Sequence, residues 1–449
     1  MMILSIYDEM LGEDKYLKKY DLKRNPFDKI SAESMTPEEI ANMHVATAED
    51  KKIASNLSTI LNGGSATVAL IGEYGSGKSI RASSIKETLR KREAYVFYTK
   101  LPGGTPDIVT YALFESVCIS LMDNEETPED IRSLAEELWE KYREIASIPE
   151  VKFKPYVAGQ DLARLFKKIS EQDILSGLVI DEFEEIIEAS IQREVRKTFE
   201  ILREFLSHAV GIPGHITVIC STPNAWSSLK EIHPAVATRI HVEIEFKPVS
   251  DKTAMEIVRK RLAAFRSNSQ TKDLSPFSEQ VIKIVNEEYA MGNPRMLLLV
   301  LRSILDLAAR NNLKSVDINS VKGGVEFARE KLKDAQSERI KQVLTPKMRE
   351  ILDIIIAEKD GGPVVGTVLA EEIGMDQGNL SRYLNQMVAL NFLDKVRDGR
   401  IVSFQIKPEL QLIFRDELSE EEKEQIETPS EEGDIEKELE KVESVLESD

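Results

Sequence analysis

One short segment, Gly72–Ser79, constrains the fold of this chain more than any other. It reads Gly-Glu-Tyr-Gly-Ser-Gly-Lys-Ser, follows the apolar run 67–71 and precedes a helix-like stretch over 80–92. Glycines at these spacings can adopt positive φ, so backbone N–H groups and the N-terminus of the following helix can surround a phosphate. A chance glycine cluster in a turn is the simpler alternative. The strand, loop and helix context favours a phosphate-binding P-loop.

The P-loop pattern assigns a role to each of its residues. Lys78 is expected to reach the β- and γ-phosphates, and the Ser79 hydroxyl is expected to bind Mg²⁺. We therefore predict ATP and Mg²⁺ as cofactors. The predicted nucleotide-binding residues are Gly72, Glu73, Tyr74, Gly75, Ser76, Gly77, Lys78, Ser79 and Ile80.

Two acidic residues follow a second apolar run and form the next motif. Asp181 and Glu182 come directly after residues 177–180. In a P-loop ATPase, one carboxylate at this point belongs to the magnesium shell and its neighbour polarises the attacking water. The alternative is an ordinary surface turn. The P-loop upstream favours Asp181 as a metal ligand and Glu182 as a catalytic residue.

A third apolar run, residues 215–220, ends in a polar segment that includes Thr222 and Asn224. Either side chain could sense the γ-phosphate, with Asn224 as the catalytic candidate; simple turn chemistry is the alternative. Strands that alternate with helices predict an α/β fold with an open, mostly parallel sheet. Its ligand is expected at the carboxyl ends of the strands.

The series of motifs resembles the AAA+ superfamily: Walker A, Walker B, a sensor-1 strand and an arginine before the last strand. This resemblance implies that Arg239 reaches the nucleotide of a neighbouring subunit in a homo-oligomer. It also implies that Arg295 is a sensor-2 residue, because Asn293 and Pro294 place it at a helix start. A surface arginine is the alternative for Arg239, and a capped surface helix is the alternative for Arg295.

The segment 345–412 predicts a compact unit of three helices and a β-hairpin, which is a winged helix. Its third helix carries apolar residues on one side and amides and an arginine on the other. Such side chains are suited to base edges, and wing arginines to phosphates. A protein-contact module is the alternative. The candidate DNA-binding residues are Gln377, Ser381, Arg382, Asn385, Arg397 and Arg400.

A AAA+ module followed by a winged helix resembles the origin-recognition and helicase-loader initiators, particularly the archaeal kind. The resemblance implies an ATPase that uses its winged helix to bind double-stranded DNA. A regulatory switch that binds proteins and a helper ATPase of a mobile element remain alternatives.

The predicted domains are a lead-in over 1–55, an AAA+ base over 56–248, a helical lid and connector over 249–343, a winged helix over 344–413 and an acidic tail over 414–449.

Charge limits the partners of this chain. Its net charge of −19 argues against a protein that coats nucleic acid, which needs a basic surface. Residues 416–449 carry 16 acidic residues against three lysines. Such a composition favours disorder, so we expect the tail to fold on a protein partner or against a basic surface of its own winged helix.

Cysteine usage and hydropathy indicate the compartment. Cys118 and Cys220 lie in apolar runs, as expected of thiols in a reducing cytoplasm. The first residues lack the pattern of a signal peptide, and no run approaches the about 18 apolar residues of a membrane span. We therefore predict a cytoplasmic protein without a membrane partner.

Overall fold

The chain forms two compact units, residues 1–328 and 329–449. The computed structural model describes residues 19–30, 34–145, 154–188, 192–267, 273–317, 320–329, 343–359, 363–390, 392–398, 401–407 and 410. The predicted acidic tail, 414–449, lies outside these residues.

The first unit contains a five-stranded sheet in which every paired neighbour is parallel. Its strands are β1 (Ala66–Ile71), β2 (Tyr95–Lys100), β3 (Ser176–Asp181), β4 (His215–Ser221) and β5 (Val242–Glu245), in the order β2-β3-β4-β1-β5. β1, β3 and β4 are buried along their whole length, as expected of strands covered on both faces. The open parallel sheet predicted from the sequence is confirmed.

Helices cover both faces of this sheet. They are α1 (Pro37–Met43), α2 (Ala48–Leu61), α3 (Lys78–Arg90), α4 (Pro106–Phe114), α5 (Glu129–Tyr142), α6 (Pro155–Ser170), α7 (Glu184–Glu188), α8 (Gln192–Ala209), α9 (Pro223–Ile232) and α10 (Pro234–Ala237). α4 continues through a π-helical turn, Glu115–Ile119, into the short helix Ser120–Asp123. The predicted boundary between lead-in and base, at residue 55, falls inside α2.

Alternate residues of each strand pack into two cores. On one face, Ile180 belongs to a cluster with Phe166 of α6 and Phe205 of α8. On the other face, Val179 belongs to a cluster with Ile85 of α3. Asp181 and Glu182 therefore lie at the carboxyl end of a strand that is packed on both faces, and this packing fixes their position.

The lid consists of helices that follow β5. They are α11 (Asp251–Phe265), α12 (Glu279–Ile284), which continues into a π-helical turn at Val285–Tyr289, and α13 (Pro294–Arg310); residues 320–329 are also helical. Ser250, Ser278 and Asn293 precede these three labelled helices, and each accepts a hydrogen bond from a backbone N–H of the first turn. This capping sets where each helix begins.

Residues 19–30 of the lead-in pack on the lid rather than on the sheet. The backbone N–H of Lys23 donates to the Phe265 carbonyl over 2.8 Å, and Arg266 donates to the carbonyl of Tyr20 over 2.9 Å. Asn25, which is buried, donates through Nδ2 to Asp306 in α13 over 2.9 Å. This part of the lead-in is therefore a structural component of the lid.

The second unit has the element order expected of a winged helix. It contains α14 (Pro346–Lys359), β6 (Val364–Val365), α15 (Gly366–Ile373), α16 (Gln377–Ala389), β7 (Leu393–Asp398) and β8 (Ile401–Ile406). The strands form an antiparallel sheet in the order β6-β8-β7. Leu380, Leu384 and Met387 of α16 are buried in its core, so the opposite side of that helix faces solvent.

Candidate nucleotide site

The P-loop has the backbone conformation that its glycines permit. Gly75 has φ +80° and Gly77 has φ +95°, values that residues with side chains rarely adopt. α3 begins directly after Gly77, at Lys78. Lys78 is buried, and its Nζ donates to the carbonyls of Gly72 over 2.6 Å and Glu73 over 3.1 Å. The loop, the lysine and the positive end of the helix dipole therefore converge on one point, which suits a phosphate.

The lid contacts the P-loop directly through the cap of α13. Asn293 Nδ2 donates to the carbonyl of Tyr74 over 2.7 Å, while its Oδ1 accepts from the N–H groups of Arg295 and Met296. A Cβ atom on Gly75 would lie 2.4 Å from Arg295 Cβ and 2.7 Å from Asn293 Oδ1. Gly75 is thus required twice, for its φ and for the close approach of the lid.

The two predicted acids lie at the carboxyl end of β3, beside the P-loop. Asp181 is buried, accepts from the hydroxyl of Tyr98 and accepts from the N–H of Glu182 over 3.0 Å. Glu182 has φ +55°, a left-handed conformation that is uncommon for a residue with a side chain. Its Oε1 lies 2.8 Å from Lys100 Nζ, at the end of β2. Backbone strain of this kind is concentrated at functional sites.

A third acid, Glu184, was missed by the sequence analysis. Its side chain is 2% exposed and accepts a hydrogen bond from the Tyr74 hydroxyl. Its Oε2 has no hydrogen-bond partner among the described residues. Burial raises the pKa of Glu184, and the charge of nearby Lys78 opposes part of this rise. In the sequence this residue resembles an ordinary acid in the first turn of a helix, so its position beside the P-loop is visible only in the structure.

These groups line one cavity of about 520 Å³, a volume typical of ligand sites. Its charged lining includes Lys78, Asp181, Glu182, Glu184 and Arg295. Its apolar lining comes from side chains of the lead-in, the base and the lid, which are Met35, Ile40, Met43, Ile80, Phe246, Ile257 and Leu298. Charged groups for phosphates and apolar side chains for a base match the chemistry of a nucleotide.

A network of charged groups forms part of the cavity rim. His44 Nε2 lies 3.0 Å from Asp50 Oδ1, and Arg81 Nη2 lies 3.2 Å from Asp50 Oδ2. Burial alone would raise the pKa of Asp50, but the His44 hydrogen bond and the Arg81 charge hold it well below its usual range. Asp50 also accepts from the N–H of Thr47 over 2.7 Å and so fixes the start of α2. This network joins the lead-in to α3, which carries the P-loop lysine.

Magnesium fits the oxygen donors that line the cavity. Among the described residues, no group of three or more histidine, cysteine, aspartate or glutamate side chains could hold a metal ion alone. Ser79 and Asp181 both line the cavity. Mg²⁺ is usually held by one or two protein oxygens together with substrate phosphates and water. The buried Ser76 hydroxyl and Glu184 Oε2, both without a partner among the described residues, are further polar atoms suited to a bound ligand.

Two predicted residues lie away from the cavity lining. Asn224 is in the first turn of α9, where the Thr222 hydroxyl accepts from the N–H of Ala225 and caps the helix. Arg239 donates to the Ser207 hydroxyl of α8 and to the Ala235 carbonyl. Neither Asn224 nor Arg239 lines the cavity. Their assigned roles stay predictions, and a role for Arg239 requires a second copy of the chain.

The candidate DNA-binding residues of α16 share one exposed side of the helix. They are Gln377, Ser381, Arg382 and Asn385. Lys395 of β7 donates to Asn385 Oδ1 over 3.1 Å and so connects the wing to this side. The side chain of Arg397, and Arg400 as a whole, lie outside the described residues.

The fold and the cavity together define a class of protein: this chain has the fold of the AAA+ ATPases. The Orc2 protein of Aeropyrum pernix, solved as ADPNP–ADP complexes, has a TM-score of 0.51 at 15% identity, over 88% of this chain and 96% of its own. A Walker-type ATPase of Pyrococcus abyssi has a TM-score of 0.50 at 15% identity, over 87% and 99%. The predicted resemblance to archaeal initiators of the Orc type is confirmed at the level of the fold.

Two sequence comparisons agree with this class. The family model described as BREX system ATP-binding protein BrxC/D matches residues 40–137, which contain the P-loop. A curated relative from Methanocaldococcus jannaschii, described as an uncharacterized HTH-type transcriptional regulator, is 24% identical over 399 residues. That match covers 88% of this chain and 93% of the relative. The match to an ATP-binding family over the P-loop region supports ATP binding.

Hydropathy adds one observation. Within the part of the chain that the structure describes, no helix has the length and apolar character needed to cross a membrane.

Proposed function

We propose that this protein is an ATP-hydrolysing switch that controls contact between its winged unit and double-stranded DNA. The observation that carries the proposal is the bond between lid and P-loop. Because Asn293 donates to the carbonyl of Tyr74, and Arg295 follows in the same turn, a ligand at the P-loop acts on the lid as well as on the base. Nucleotide occupancy and lid position are therefore coupled in this proposal.

Lys78, Ser79, Asp181, Glu182 and Arg295 of the cavity each have a proposed task in hydrolysis. Lys78 and the P-loop N–H groups bind the phosphates, while Ser79 and Asp181 hold Mg²⁺, which supplies charge neutralisation at the phosphate oxygens. Glu182 polarises the attacking water, and Lys100 restrains its carboxylate until the reaction geometry is complete. Arg295 contacts the phosphates from the lid.

Asn224 and Arg239 complete the proposed catalytic set from outside the cavity lining. Asn224 would act as the phosphate sensor after β4. Arg239 would act on the nucleotide of a second copy of the chain, because its own contacts are with Ser207 and Ala235 rather than with this cavity. A homo-oligomer is therefore part of the proposal.

The winged unit is proposed to read DNA with the exposed side of α16. Arg382 and the amides of Gln377 and Asn385 have the donors and acceptors that match base edges in the major groove. The relative described as an HTH-type transcriptional regulator supports this assignment. Residues 345–412 hold eight basic and ten acidic residues, so contact must be local. A protein partner for the acidic tail and a cytoplasmic location also remain parts of the proposal.

Two substitutions test the proposed chemistry. Lys78→Ala should abolish measurable nucleotide binding, because the main charge at the phosphates is lost. Glu182→Gln should keep binding but lower turnover by about 10²-fold or more, because an amide cannot accept a proton from water. Fluorescent-nucleotide titration and phosphate release measure the two effects.

Glu185→Gln is the matched control, since Glu185 lies in the same segment but not on the cavity lining. It should leave both binding and turnover unchanged. Wild-type turnover by the Glu182→Gln variant would rule out the catalytic assignment.

One further pair of variants tests the DNA assignment. Arg382→Ala should weaken binding to a specific duplex by about 5- to 150-fold, the equivalent of about 1–3 kcal/mol for a base contact. Arg349→Ala removes the same charge from an exposed position on α14 and should have little effect. Binding is measured by fluorescence anisotropy on specific and scrambled duplexes, with and without ATP. If the intact protein binds neither duplex, the protein-partner switch becomes the better proposal.

A further inference from the structure

Tyr98 of β2 makes a contact that the proposed chemistry has not used. Its hydroxyl donates to Asp181 Oδ2. The other oxygen of this carboxylate, Oδ1, accepts from the N–H of Glu182. Each carboxylate oxygen can accept more than one hydrogen bond. Both oxygens of Asp181 are therefore oriented by protein donors, while each retains capacity for a further partner in the cavity.

Neighbouring elements fix both the backbone and the side chain of Tyr98. β2 and β3 are parallel, with Tyr98 beside Val179 and Lys100 beside Asp181, so the side chain reaches along the strand to the acid. Lys86 Nζ of α3 lies 5.6 Å from the ring centroid. The Ser116 hydroxyl donates to the backbone carbonyl of Tyr98 over 3.1 Å. The backbone is thus held by β3 and by the helical segment after α4, and the ring lies beside the helix after the P-loop.

Tyr98 can orient Asp181 because a phenol hydroxyl donates and a carboxylate oxygen accepts. The N–H of Glu182 donates to the other oxygen of the same carboxylate. Donors at both oxygens select one orientation of the Asp181 side chain.

We propose that Tyr98 is a positioning residue for the magnesium site, which it serves by holding Asp181 in the orientation that metal binding requires. The inference rests on the proposed function, in which Asp181 contacts the magnesium shell. Partners that orient a metal ligand commonly change metal affinity by about 10- to 100-fold when they are removed. Tyr98 itself does not touch the metal or the nucleotide in this proposal.

A second tyrosine of the same unit provides a matched control. The Tyr142 hydroxyl donates to Asp161 Oδ2 over 2.7 Å, and burial followed by this hydrogen bond raises the pKa of Tyr142. Both residues join α5 to α6, and neither lines the cavity. Tyr142→Phe therefore removes the same kind of bond at a place without proposed chemistry.

The test measures nucleotide affinity as a function of Mg²⁺ concentration. A fluorescent ATP analogue is titrated into wild type, Tyr98→Phe and Tyr142→Phe, first with a chelator and then over a range of Mg²⁺. We expect Tyr98→Phe to keep the metal-free nucleotide affinity within about twofold of wild type. The Mg²⁺ concentration that produces half of the Mg²⁺-dependent gain in nucleotide affinity should rise by about 10- to 100-fold. Tyr142→Phe should change neither value. Thermal unfolding of both variants reports the purely structural cost of each lost bond.

Two outcomes would overturn the inference. In the first, Tyr98→Phe leaves the Mg²⁺ requirement within twofold of wild type. In the second, it weakens metal-free and metal-dependent binding equally, which indicates a structural role alone. Asp181→Asn separates this failure from failure of the proposed function. If Asp181→Asn shifts the Mg²⁺ requirement and Tyr98→Phe does not, only the Tyr98 inference is wrong; if Asp181→Asn also has no effect, the metal assignment of Asp181 is wrong as well.

Discussion

The nucleotide cavity and the exposed side of α16 are built in opposite ways. At the cavity, Lys78 and Asp181 are buried; Lys78 is hydrogen bonded to the P-loop and Asp181 to the neighbouring strand β2. On α16, Gln377 and Arg382 extend into solvent from a helix whose other side is packed. The cavity therefore fixes its chemistry through tertiary contacts, whereas α16 presents its side chains on a rigid support and leaves them free to adapt.

This difference predicts how each region responds to substitution. A change at the cavity alters packing, stability and chemistry together, because the same atoms serve all three. A change on the exposed side of α16 should alter binding alone, since surface substitutions usually change the free energy of unfolding by less than about 0.5 kcal/mol.

The largest effect is expected at Gly75. Gly75→Ala introduces a Cβ at 2.4 Å from Arg295 Cβ, so the lid must shift and the P-loop must strain. Overpacking of this kind costs about 1–3 kcal/mol, which corresponds to about 5- to 150-fold in nucleotide affinity. Gly63→Ala is the control, because Gly63 has φ +81° but no atom within 4 Å of the added Cβ. It should lower stability and leave nucleotide affinity unchanged; equal affinity losses in both variants would contradict the proposed lid contact.

The contrast also explains which residues sequence reasoning could identify. Lys78, Ser79, Asp181 and Glu182 were proposed from the sequence because each belongs to a local pattern that follows an apolar run. All four line the cavity, and their roles stay predictions. Tyr98 was missed because its partner lies 83 residues away along the chain. Only the strand order, which places β2 beside β3, brings the two together, and local patterns do not encode strand order.

The apolar lining of the cavity was beyond sequence reasoning for the same reason. Met35 and Met43 of the lead-in line the same cavity as Ile257 and Leu298 of the lid, which follow only after the chain has passed through the sheet. On α16, by contrast, helical periodicity alone separated buried Leu384 from its exposed neighbours. The sequence therefore predicts which side of a helix is buried, because burial follows the local helical period. It does not predict a cavity lining that is assembled from segments far apart in the chain.

Glu184 allows a second test, through pH. Because burial raises its pKa above the unfolded value, the unfolded chain ionises first as pH rises. The contribution of Glu184 to stability is therefore highest below the unfolded pKa and falls as pH rises towards the folded pKa. Glu184→Gln keeps an acceptor for Tyr74 and removes the charge. We expect it to raise the free energy of unfolding at pH 8 by about 1 kcal/mol, the scale of an unsatisfied buried polar group.

Urea unfolding at pH 4 and pH 8 measures this effect. The difference between Glu184→Gln and wild type should be larger at pH 8 than at pH 4. Glu185→Gln, one position further along, should show no such dependence. A variant less stable than wild type at pH 8 would show that the Glu184 carboxylate stabilises the P-loop, opposite to the expectation.

The smallest effect is expected at Lys100, whose ion pair with Glu182 is about 40% exposed on both sides. Exposed ion pairs contribute about 0.2–1 kcal/mol to stability. Removing the lysine can therefore change the fraction of Glu182 side chains that are free to face the attacking water by at most about fivefold. Lys100→Met should raise basal ATP turnover by about two- to fivefold, because the freed carboxylate can turn to the attacking water. Lys230→Met is the control: Lys230 makes a similarly exposed pair with Glu243 over 2.7 Å, away from the cavity. A fall in turnover in Lys100→Met alone would mean that Lys100 assists the reaction instead of restraining Glu182.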